Sequence, residues 1–398
     1  MTFPADTSID PSAVVKKILA EAQAARRYDI GFPGATDLRF PVLREILTGQ
    51  LLNNIGDPWD LGHGRNHTKA IEQEVIAMVA DLLHAPEGRW GYVTTGSSEG
   101  TLHALDEAWQ RYPDLVVYTS TAAHYSVVKG TRLLKLPLVM VRADDMGRMD
   151  IAELRGELAG RRDRPAMIVA TAGTTMTEAV DDVSAIAHAC DQFGMTRRRI
   201  HVDAALSGIP LALLPEETRP PFDFECGATS IVISGHKFLS TLMPCGVLVY
   251  ADSPHNISSD RVSYTGSADT TITGSRSGHT PLLLWWALKS LGPDGLRARA
   301  QASRELAAYT HAKICDAGWP ARLNPQAFTV TLEHPPPTIL AKWVLATDGQ
   351  IAHIVCMPGI TRDQIDEFVA DLAAFRPASA QRRRRLMSIG TESCTRNR

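Results

Sequence analysis

The chain has 398 residues, with 41 Lys and Arg against 44 Asp and Glu, which gives a formal net charge of −3. This near-neutral balance argues against nucleic acid as the main partner, because binding phosphate backbones normally needs a basic face. No run approaches the roughly 20 apolar residues of a membrane span. Met1 to Lys17 holds no apolar signal-peptide core, so we expect no membrane partner and a cytoplasmic location.

The first part of the chain reads as helical. Asp10 supplies a cap and Pro11 a first-turn proline for a helix that we expect to run to about Arg27. A Gly- and Pro-rich stretch, Gly31 to Gly34, then interrupts the pattern. We expect two further helices, at residues 41–52 and 70–83, and an N-terminal helical segment at 1–55.

From residue 92 onward, short apolar runs alternate with helical patterns. Such continuous short runs are typical of strands buried on both faces of a mostly parallel sheet, with crossover helices between them. We therefore predict an α/β fold whose large domain, residues 56–290, holds a mostly parallel seven-stranded sheet. The seven predicted strands are residues 92–94, 115–119, 138–141, 166–170, 200–202, 230–234 and 247–250.

The C-terminal part predicts a small α+β domain at residues 291–377. A helix over 281–312 links it to the large domain, and it reads as strands 329–332 and 351–356 followed by helix 362–375. Residues 378–398 include four consecutive arginines, Arg382 to Arg385, and we expect them to form a disordered basic tail.

The cysteines predict neither a metal site nor a disulfide framework. They are scattered and form no C-x-x-C pair, so we expect no bound metal and a reduced compartment. The six are Cys190, Cys226, Cys245, Cys315, Cys356 and Cys394.

Two charged residues follow predicted buried strands. Lys237 ends the sequence Ser-Gly-His-Lys, and lysine amines form Schiff bases with carbonyl compounds, including pyridoxal phosphate. Alone, it would more often be a surface lysine. Asp203 is costly to bury without a cation, and a protonated pyridine nitrogen would supply one. The alternatives for Asp203 are a helix N-cap or an ion pair. Ala205 is small enough to let a ring lie flat.

Other polar residues follow neighbouring strands. Gly96, Ser97 and Ser98 open a helical pattern, where exposed amides and hydroxyls would cradle a phosphate. His124 is equally compatible with stacking on a ring and with solvation at a helix start. Thr175 adds a hydroxyl. Since ligands of open α/β sheets bind at the carboxyl ends of the strands, we expect all these groups in one pyridoxal phosphate site.

On these residues the sequence resembles the pyridoxal-phosphate-dependent group II amino-acid decarboxylases, which have fold type I, the aspartate aminotransferase-like fold. It is most similar to the bacterial histidine decarboxylases and the plant serine decarboxylases. The resemblance spans about residues 30–375 and rests on Thr95–Gly100, Ser234–Lys237 and, most specifically, Thr273–Pro281.

The resemblance implies roles for individual residues. Lys237 would carry the cofactor, Asp203 would hold its ring nitrogen, and His124 and Ala205 would lie on opposite faces of the ring. A tyrosine, Tyr264, would sit on a mobile loop that closes on the neighbouring subunit's site, and either Tyr264 or Lys237 would protonate the product. That implies a homodimer, possibly a tetramer, with shared active sites. The implied phosphate contacts are Gly96, Ser97, Ser98, Ser234 and His236, and Thr175 also faces the cofactor.

Two segments depart from the subgroup's pattern. The phosphate turn more usually reads Thr-Asn-Gly-Gly-Thr-Glu-Gly, whereas this chain has Thr95 for Asn, Ser97 for Gly and Ser98 for Thr. Ser98 keeps the hydroxyl. Residues 61–68, which help to shape the substrate pocket in the subgroup, also differ.

The expected activity is decarboxylation of an L-amino acid to its amine and CO2, with histidine first and serine, valine or an aromatic acid as alternatives. A second hypothesis is an aminotransferase or aldolase-type lyase, for which Arg276 or Arg362 would clamp the substrate carboxylate. A third is a binding protein of the same fold that has lost catalysis.

Overall fold

The computed structural model describes residues 10–254 and 261–375. The predicted basic tail at residues 378–398 and Cys394 lie outside these ranges. Within them, each helix is too short or too polar to cross a bilayer.

A seven-stranded sheet forms the centre of the molecule. The strand order is β1-β7-β6-β5-β4-β2-β3, in which β7 is antiparallel to both neighbours and the remaining pairs are parallel. Six of the seven strands are buried almost throughout, which explains their continuous apolar runs. The predicted mostly parallel sheet is confirmed. Its strands are β1 Trp90–Thr94, β2 Val116–Ser120, β3 Leu138–Val141, β4 Ala166–Thr171, β5 Arg198–Asp203, β6 Ser230–Ser234 and β7 Gly246–Tyr250.

Helices connect and cover the sheet. Side chains cap several of them: Asp10, Asp150 and Asp182 each accept a hydrogen bond from a first-turn amide. The helices are α1 Pro11–Ala25, α2 Arg44–Gly49, α3 Lys69–Leu82, α4 Ser97–Arg111, α5 Tyr125–Leu133, α6 Ile151–Ala159, α7 Val183–Gln192, α8 Gly208–Ala212, α9 His279–Asp316, α10 Pro337–Leu340 and α11 Arg362–Ala373.

The predicted helix at residues 41–52 is too long. A 3₁₀ turn, Pro41–Leu43, leads into α2, and Gln50 is already extended. The next residues continue as extended chain, since Asn53 pairs with Ser277 in an isolated bridge.

A smaller antiparallel sheet lies towards the C-terminus, in the order β10-β11-β13-β12. The predicted α+β character is confirmed, but the sequence analysis missed β10 and β12, which have three residues each and little burial. It also missed a two-stranded hairpin, β8–β9. These strands are β8 Arg261–Val262, β9 Ser267–Ala268, β10 Ala321–Leu323, β11 Thr329–Glu333, β12 Ala346–Asp348 and β13 Ile351–Val355.

The chain that follows α1 joins this small sheet. Gly31 N–H donates to Val344 O at 2.9 Å, and Val355 N–H donates to Ile30 O at 2.9 Å. Helix α9 runs through the predicted boundary at residues 290/291 and is kinked at Gly292, whose φ is 60°. The predicted domain limits at 55, 290 and 377 stay a prediction.

Candidate active site

A cavity of about 780 Å³ opens at the carboxyl ends of the parallel strands, between the two sheets. All of the residues expected to bind the cofactor line it, although they come from five separate segments of the chain. They are Gly96, Ser97, Ser98, His124, Thr175, Asp203, Ala205, Ser234, His236 and Lys237.

Lys237 lies on the turn that follows β6. Gly235 N–H donates to Cys245 O at 2.9 Å and Ser240 N–H donates to Lys237 O at 3.2 Å, so backbone bonds hold both sides of the turn. The guanidinium of Arg299 also donates to the carbonyl of Phe238. Burial lowers the pKa of Lys237, while Asp203 and Glu178 act to raise it. The lowered pKa increases the share of neutral, nucleophilic amine.

Asp203 is the last residue of β5 and is only 5% exposed. Its Oδ1 accepts from Ala205 N–H at 3.1 Å. It does not cap a helix, because the nearest one, α8, starts at Gly208 with Ser207 in the cap position. Within the described ranges Oδ2 takes no hydrogen bond. A buried carboxylate with a free oxygen facing a cavity fits a cationic ring nitrogen.

The turn before α4 forms a polar end of the cavity. Ser97 Oγ and Ser234 Oγ are 2.6 Å apart, which brings the β1 and β6 edges together. A Cβ added to Gly96 would meet no atom within 4 Å and would project into open space. The first-turn amides of α4 are therefore accessible, as a phosphate cradle requires.

The departures in this turn have a structural explanation. Glu99 lies in the first turn of α4, where a carboxylate facing the cavity would repel a phosphate. Instead it turns inward: it accepts from Thr95 N–H at 2.7 Å, from Thr95 Oγ1 at 2.6 Å and from Tyr92 O–H at 3.0 Å. The hydrogen bonds from Thr95 thus hold the Glu99 carboxylate away from the first-turn amides, which stay free to bind a phosphate.

His124 is the N-cap residue of α5. Ser126 N–H donates to its Nδ1 at 3.3 Å, which places the ring proton on Nε2. Burial lowers the pKa of His124, so the imidazole is mainly neutral near pH 7. The ring is thus fixed in one tautomer at the cavity wall.

Two more histidines, His236 and His353, line the cavity, and burial lowers the pKa of both. His236 Nδ1 lies 3.2 Å from Cys245 O, directly before β7. His353 of β13 is 2% exposed, and its Nε2 lies 2.9 Å from Gly31 O. Sequence reasoning missed His353 because a lone histidine in a strand gives no sign of a partner more than 300 residues away. It also missed the other residues of this wall, which are Gly31, Phe32, Pro33, Ala346, Asp348, Ile351 and Val355.

Tyr264 does not reach this cavity. It lies in the turn of the β8–β9 hairpin and is 84% exposed. The hairpin contacts the segment predicted to shape the substrate pocket, since His63 N–H donates to Thr265 O at 2.8 Å. Among the residues assigned a role in the predicted decarboxylase site, Tyr264 is thus the one that the structure places apart from the others.

Neither candidate carboxylate clamp lines the cavity. Arg276 is buried and bonded to Glu72, and it also donates to Gly56 O at 3.0 Å. Arg362 on α11 lies over the ring of Tyr309, 4.8 Å from its centroid. No arginine is present among the described residues that line the cavity. This removes the feature that would have favoured an aminotransferase.

One group of side chains elsewhere has the composition of a metal site. His84, Asp223 and Glu225 bring their ligand atoms within 4.8 Å of one another. However, Arg219 Nη1 lies 2.9 Å from His84 Nε2 and 3.7 Å from Asp223 Oδ2. A guanidinium at this place neutralises the carboxylate and repels a cation, so we assign no metal there.

Comparisons with known proteins identify the family of the chain. The model of the pyridoxal-dependent decarboxylase conserved domain matches residues 47–319. A histidine decarboxylase of Mesorhizobium japonicum is 39% identical over 364 residues, 90% of this chain and 96% of the relative. Serine decarboxylase 3 of Oryza sativa subsp. japonica is 34% identical, over 94% of this chain and 84% of the relative. The solved L-methionine decarboxylase from Streptomyces sp.590 has a TM-score of 0.84 at 24% identity, covering 92% of this chain and 95% of that chain.

Together, the fold and the cavity define an α/β enzyme of fold type I that uses pyridoxal phosphate. The chain belongs to the pyridoxal-dependent decarboxylase family and is an amino-acid decarboxylase. The residues present fit the cofactor: an open cradle at Gly96 suits the phosphate, Asp203 suits the ring nitrogen and Lys237 suits the carbonyl carbon.

Proposed function

We propose that the chain converts L-histidine to histamine and CO2 in this cavity. The observation that carries the proposal is the joint placement of Lys237, Asp203 and the Gly96 cradle, in a chain that is 39% identical to a histidine decarboxylase. The absence of arginine from the described lining supports decarboxylation over transamination. A fixed cation would stabilise the substrate carboxylate in the ground state, and that charge must disperse when CO2 leaves.

Lys237 and Asp203 have complementary tasks in this proposal. Lys237 would hold the cofactor at its carbonyl carbon through Nζ, which is a nucleophilic amine when neutral. Asp203 keeps a proton on the ring nitrogen. When bound, pyridoxal phosphate supplies a ring that accepts the electron pair left by the breaking Cα–carboxylate bond.

The cofactor ring would lie between His124 and Ala205. The hydrogen bond to Ser126 holds the His124 ring in place, and Ala205 is too small to tilt a ring that lies against it. Ser97, Ser98, Ser234 and the cradle would hold the phosphate. The substrate then occupies the opposite part of the cavity, where His353 and its neighbouring residues form the wall.

We also propose that two subunits share their sites in a homodimer. The β8–β9 hairpin presents Tyr264, 84% exposed, and nearby Leu61 is 58% exposed. Large exposed side chains grouped around a hairpin are typical of an interaction surface. In the dimer Tyr264 would enter the neighbouring cavity and protonate the product carbon.

A second substrate is favoured by a specific observation. Serine decarboxylase 3 of Oryza sativa subsp. japonica is 34% identical over 94% of this chain, and residues 61–68, which help to shape the substrate pocket in the subgroup, differ from the usual pattern. Discrimination between two amino acids rests on a few pocket contacts, which the same fold supplies in either form.

A product screen separates these possibilities. The purified protein, loaded with pyridoxal phosphate, is given each of the twenty amino acids, and CO2 and amine are measured. Release from histidine alone supports the proposal. Release from serine or another acid keeps the reaction and changes the substrate, whereas a keto acid without CO2 would contradict decarboxylation. Light scattering of the same sample tests the dimer.

A further inference from the structure

Glu178 is a buried carboxyl group that the proposed reaction does not use. It lies on the loop after β4, is 2% exposed and has a left-handed φ of 53°. A side chain rarely adopts this conformation, and the strain persists only where the surrounding structure enforces it. At this position the contacts of the carboxyl group add to backbone hydrogen bonds within the loop.

The carboxyl group joins two segments on opposite sides of the cavity. Its Oε1 accepts from Ser207 Oγ at 2.9 Å, four residues after Asp203. Its Oε2 accepts from Phe328 N–H at 3.0 Å, at the start of β11. The backbone N–H of Glu178 donates to Thr174 O at 2.8 Å, next to Thr175 on the cavity wall.

These contacts connect the two sheets at the cavity. Phe328 O in turn accepts from Cys356 N–H at 2.8 Å, just beyond β13, the strand that carries His353. One carboxyl group therefore fixes the Thr175 loop to the segment behind Asp203 and to the small sheet. A loss of this link would let the His353 wall move relative to Lys237.

The charge of Glu178 also acts on the site. Burial raises the pKa of Glu178 to about 7, so the group is largely ionised only above that pH. The charged and titratable groups that face it are Arg304 on α9, Cys356 after β13 and Lys237 after β6. Burial lowers the pKa of Lys237, and the negative charges of Asp203 and Glu178 partly oppose that shift.

We propose that Glu178 is a positioning residue, which ties the Thr175 wall of the cavity to the small sheet and places a buried carboxyl group next to the cavity that holds Lys237. The inference rests on the proposed role of Lys237 as the cofactor lysine. It makes the reactivity of that lysine depend on pH through a group outside the cavity.

Two variants separate the link from the charge. In Glu178→Gln the amide oxygen still accepts from Phe328 N–H while the NH2 donates to Ser207 Oγ, so the link remains and the charge is lost. In Glu178→Gly both contacts are lost, but the left-handed strain is relieved. If the contacts of the carboxyl group did not stabilise the fold, the glycine variant would melt at a higher temperature than the unchanged chain, because only the relief of strain would remain.

The measurement follows Lys237 directly. The full chain without cofactor is treated with an amine-acylating reagent across a pH series, and the Lys237 peptide is quantified by mass spectrometry. We expect Glu178→Gln to melt like the unchanged chain and to label severalfold faster above pH 7, with the two rates converging well below it. We expect Glu178→Gly to melt at a lower temperature.

Asp181→Asn is the matched control. Asp181 is a second buried carboxyl group on the same loop, bonded to Met149 N–H and Thr171 N–H, and it does not shift the pKa of Lys237. It should lower the melting temperature without changing the pH dependence of labelling. A Glu178→Gln rate ratio that is flat with pH, or a glycine variant that is more stable, would overturn the inference. Neither readout needs turnover, so both stand even where the proposed activity fails.

Discussion

The carboxyl edge of the large sheet and the β8–β9 hairpin both carry candidate catalytic residues, but in opposite settings. At the sheet edge, Asp203 is 5% exposed and fixed by the amide of Ala205. On the hairpin, Tyr264 is 84% exposed, and the hairpin is attached through Arg261, which pairs with Asp60 at 2.7 Å. At the sheet edge, one chain supplies all of the candidate cofactor-binding side chains. On the hairpin, the side chain of Tyr264 is exposed to solvent.

This difference separates candidate groups that the fold fixes inside one chain from a candidate group that is open to solvent. Groups that must hold a cofactor are placed by strands that are buried on both faces. Because these groups are already fixed, little conformational entropy is lost when the cofactor binds. A proton donor that acts after CO2 has left can come from a movable element.

Lys237→Ala tests the edge most severely. We expect turnover and the visible absorbance of the bound cofactor both to be lost, because no other amine lines the described cavity. Activity assays and absorbance spectra check this. Lys289→Ala, an exposed lysine on α9, serves as the control. Retained turnover would show that a different lysine carries the cofactor.

Asp203→Asn tests the edge with a smaller change. The amide keeps the shape of the side chain and removes the charge that holds the ring proton, so we expect kcat to fall by about 10²–10³-fold. Steady-state kinetics check this, with cofactor binding followed separately by absorbance. Asp150→Asn, which keeps an N-cap on α6, should leave kcat unchanged. A normal rate in Asp203→Asn would remove Asp203 from the mechanism.

Tyr264→Phe tests the hairpin. Loss of the phenol proton should leave cofactor binding intact and slow amine formation by about 10²-fold, in the range of general acid catalysis. Product analysis by mass spectrometry would also detect diversion to side products. Tyr112→Phe, at the end of α4 and away from the cavity, is the control. Equal rates in the two variants would mean that the hairpin has another task.

Asp181→Asn tests the stability of the structure behind the sheet edge rather than the chemistry of the site. Asp181 accepts from Thr171 N–H, at the end of β4, and from Met149 N–H. The asparagine leaves one buried amide without an acceptor, so we expect a loss of about 1–3 kcal/mol in the free energy of unfolding. Denaturant titration measures this loss, and Tyr264→Phe should show none. An unchanged free energy would remove Asp181 from the support of the edge.

The same residue predicts a pH dependence. Burial raises the pKa of Asp181 from 3.8 to about 6, so the folded state binds this proton more tightly than the unfolded state does. The contribution of this group therefore makes the folded state less stable as pH rises from 3.8 through 6, and full ionisation costs the most above that window. Denaturant titrations of the unchanged chain and Asp181→Asn at several pH values check the sign. A difference that does not change with pH would contradict it.

The sequence indicates the sheet edge well because strands and their following turns leave local patterns. Residues 138–141 and 230–234 match β3 and β6 residue for residue, and each polar cluster follows such a run. The opposite wall of the cavity leaves no such pattern. Strands β10 and β12 are too short for a periodic signal, and the contact between His353 and Gly31 spans nearly the whole chain.

Backbone strain is invisible in the sequence for a different reason. A glutamate in a loop gives no sign that it will adopt a left-handed φ, as Glu178 does, because its partners Ser207 and Phe328 lie far away in the sequence. The buried ion pair between Arg276 and Glu72 is invisible in the sequence for the same reason. The sequence shows an arginine that could bind a substrate carboxylate, and only the fold shows that Glu72 already binds it.

The pairing of residues 30–31 with Val344 and Val355 also determines when the enzyme can become competent during its synthesis. A ribosome releases the large sheet well before it has added the strand that closes the wall. The segment at Gly31 lacks its partner until residue 344 has emerged, and the wall that carries His353 is incomplete until residue 355 has emerged. We therefore expect cofactor capture to await a nearly finished chain, and a chain truncated before residue 344 to form the large sheet without a complete site.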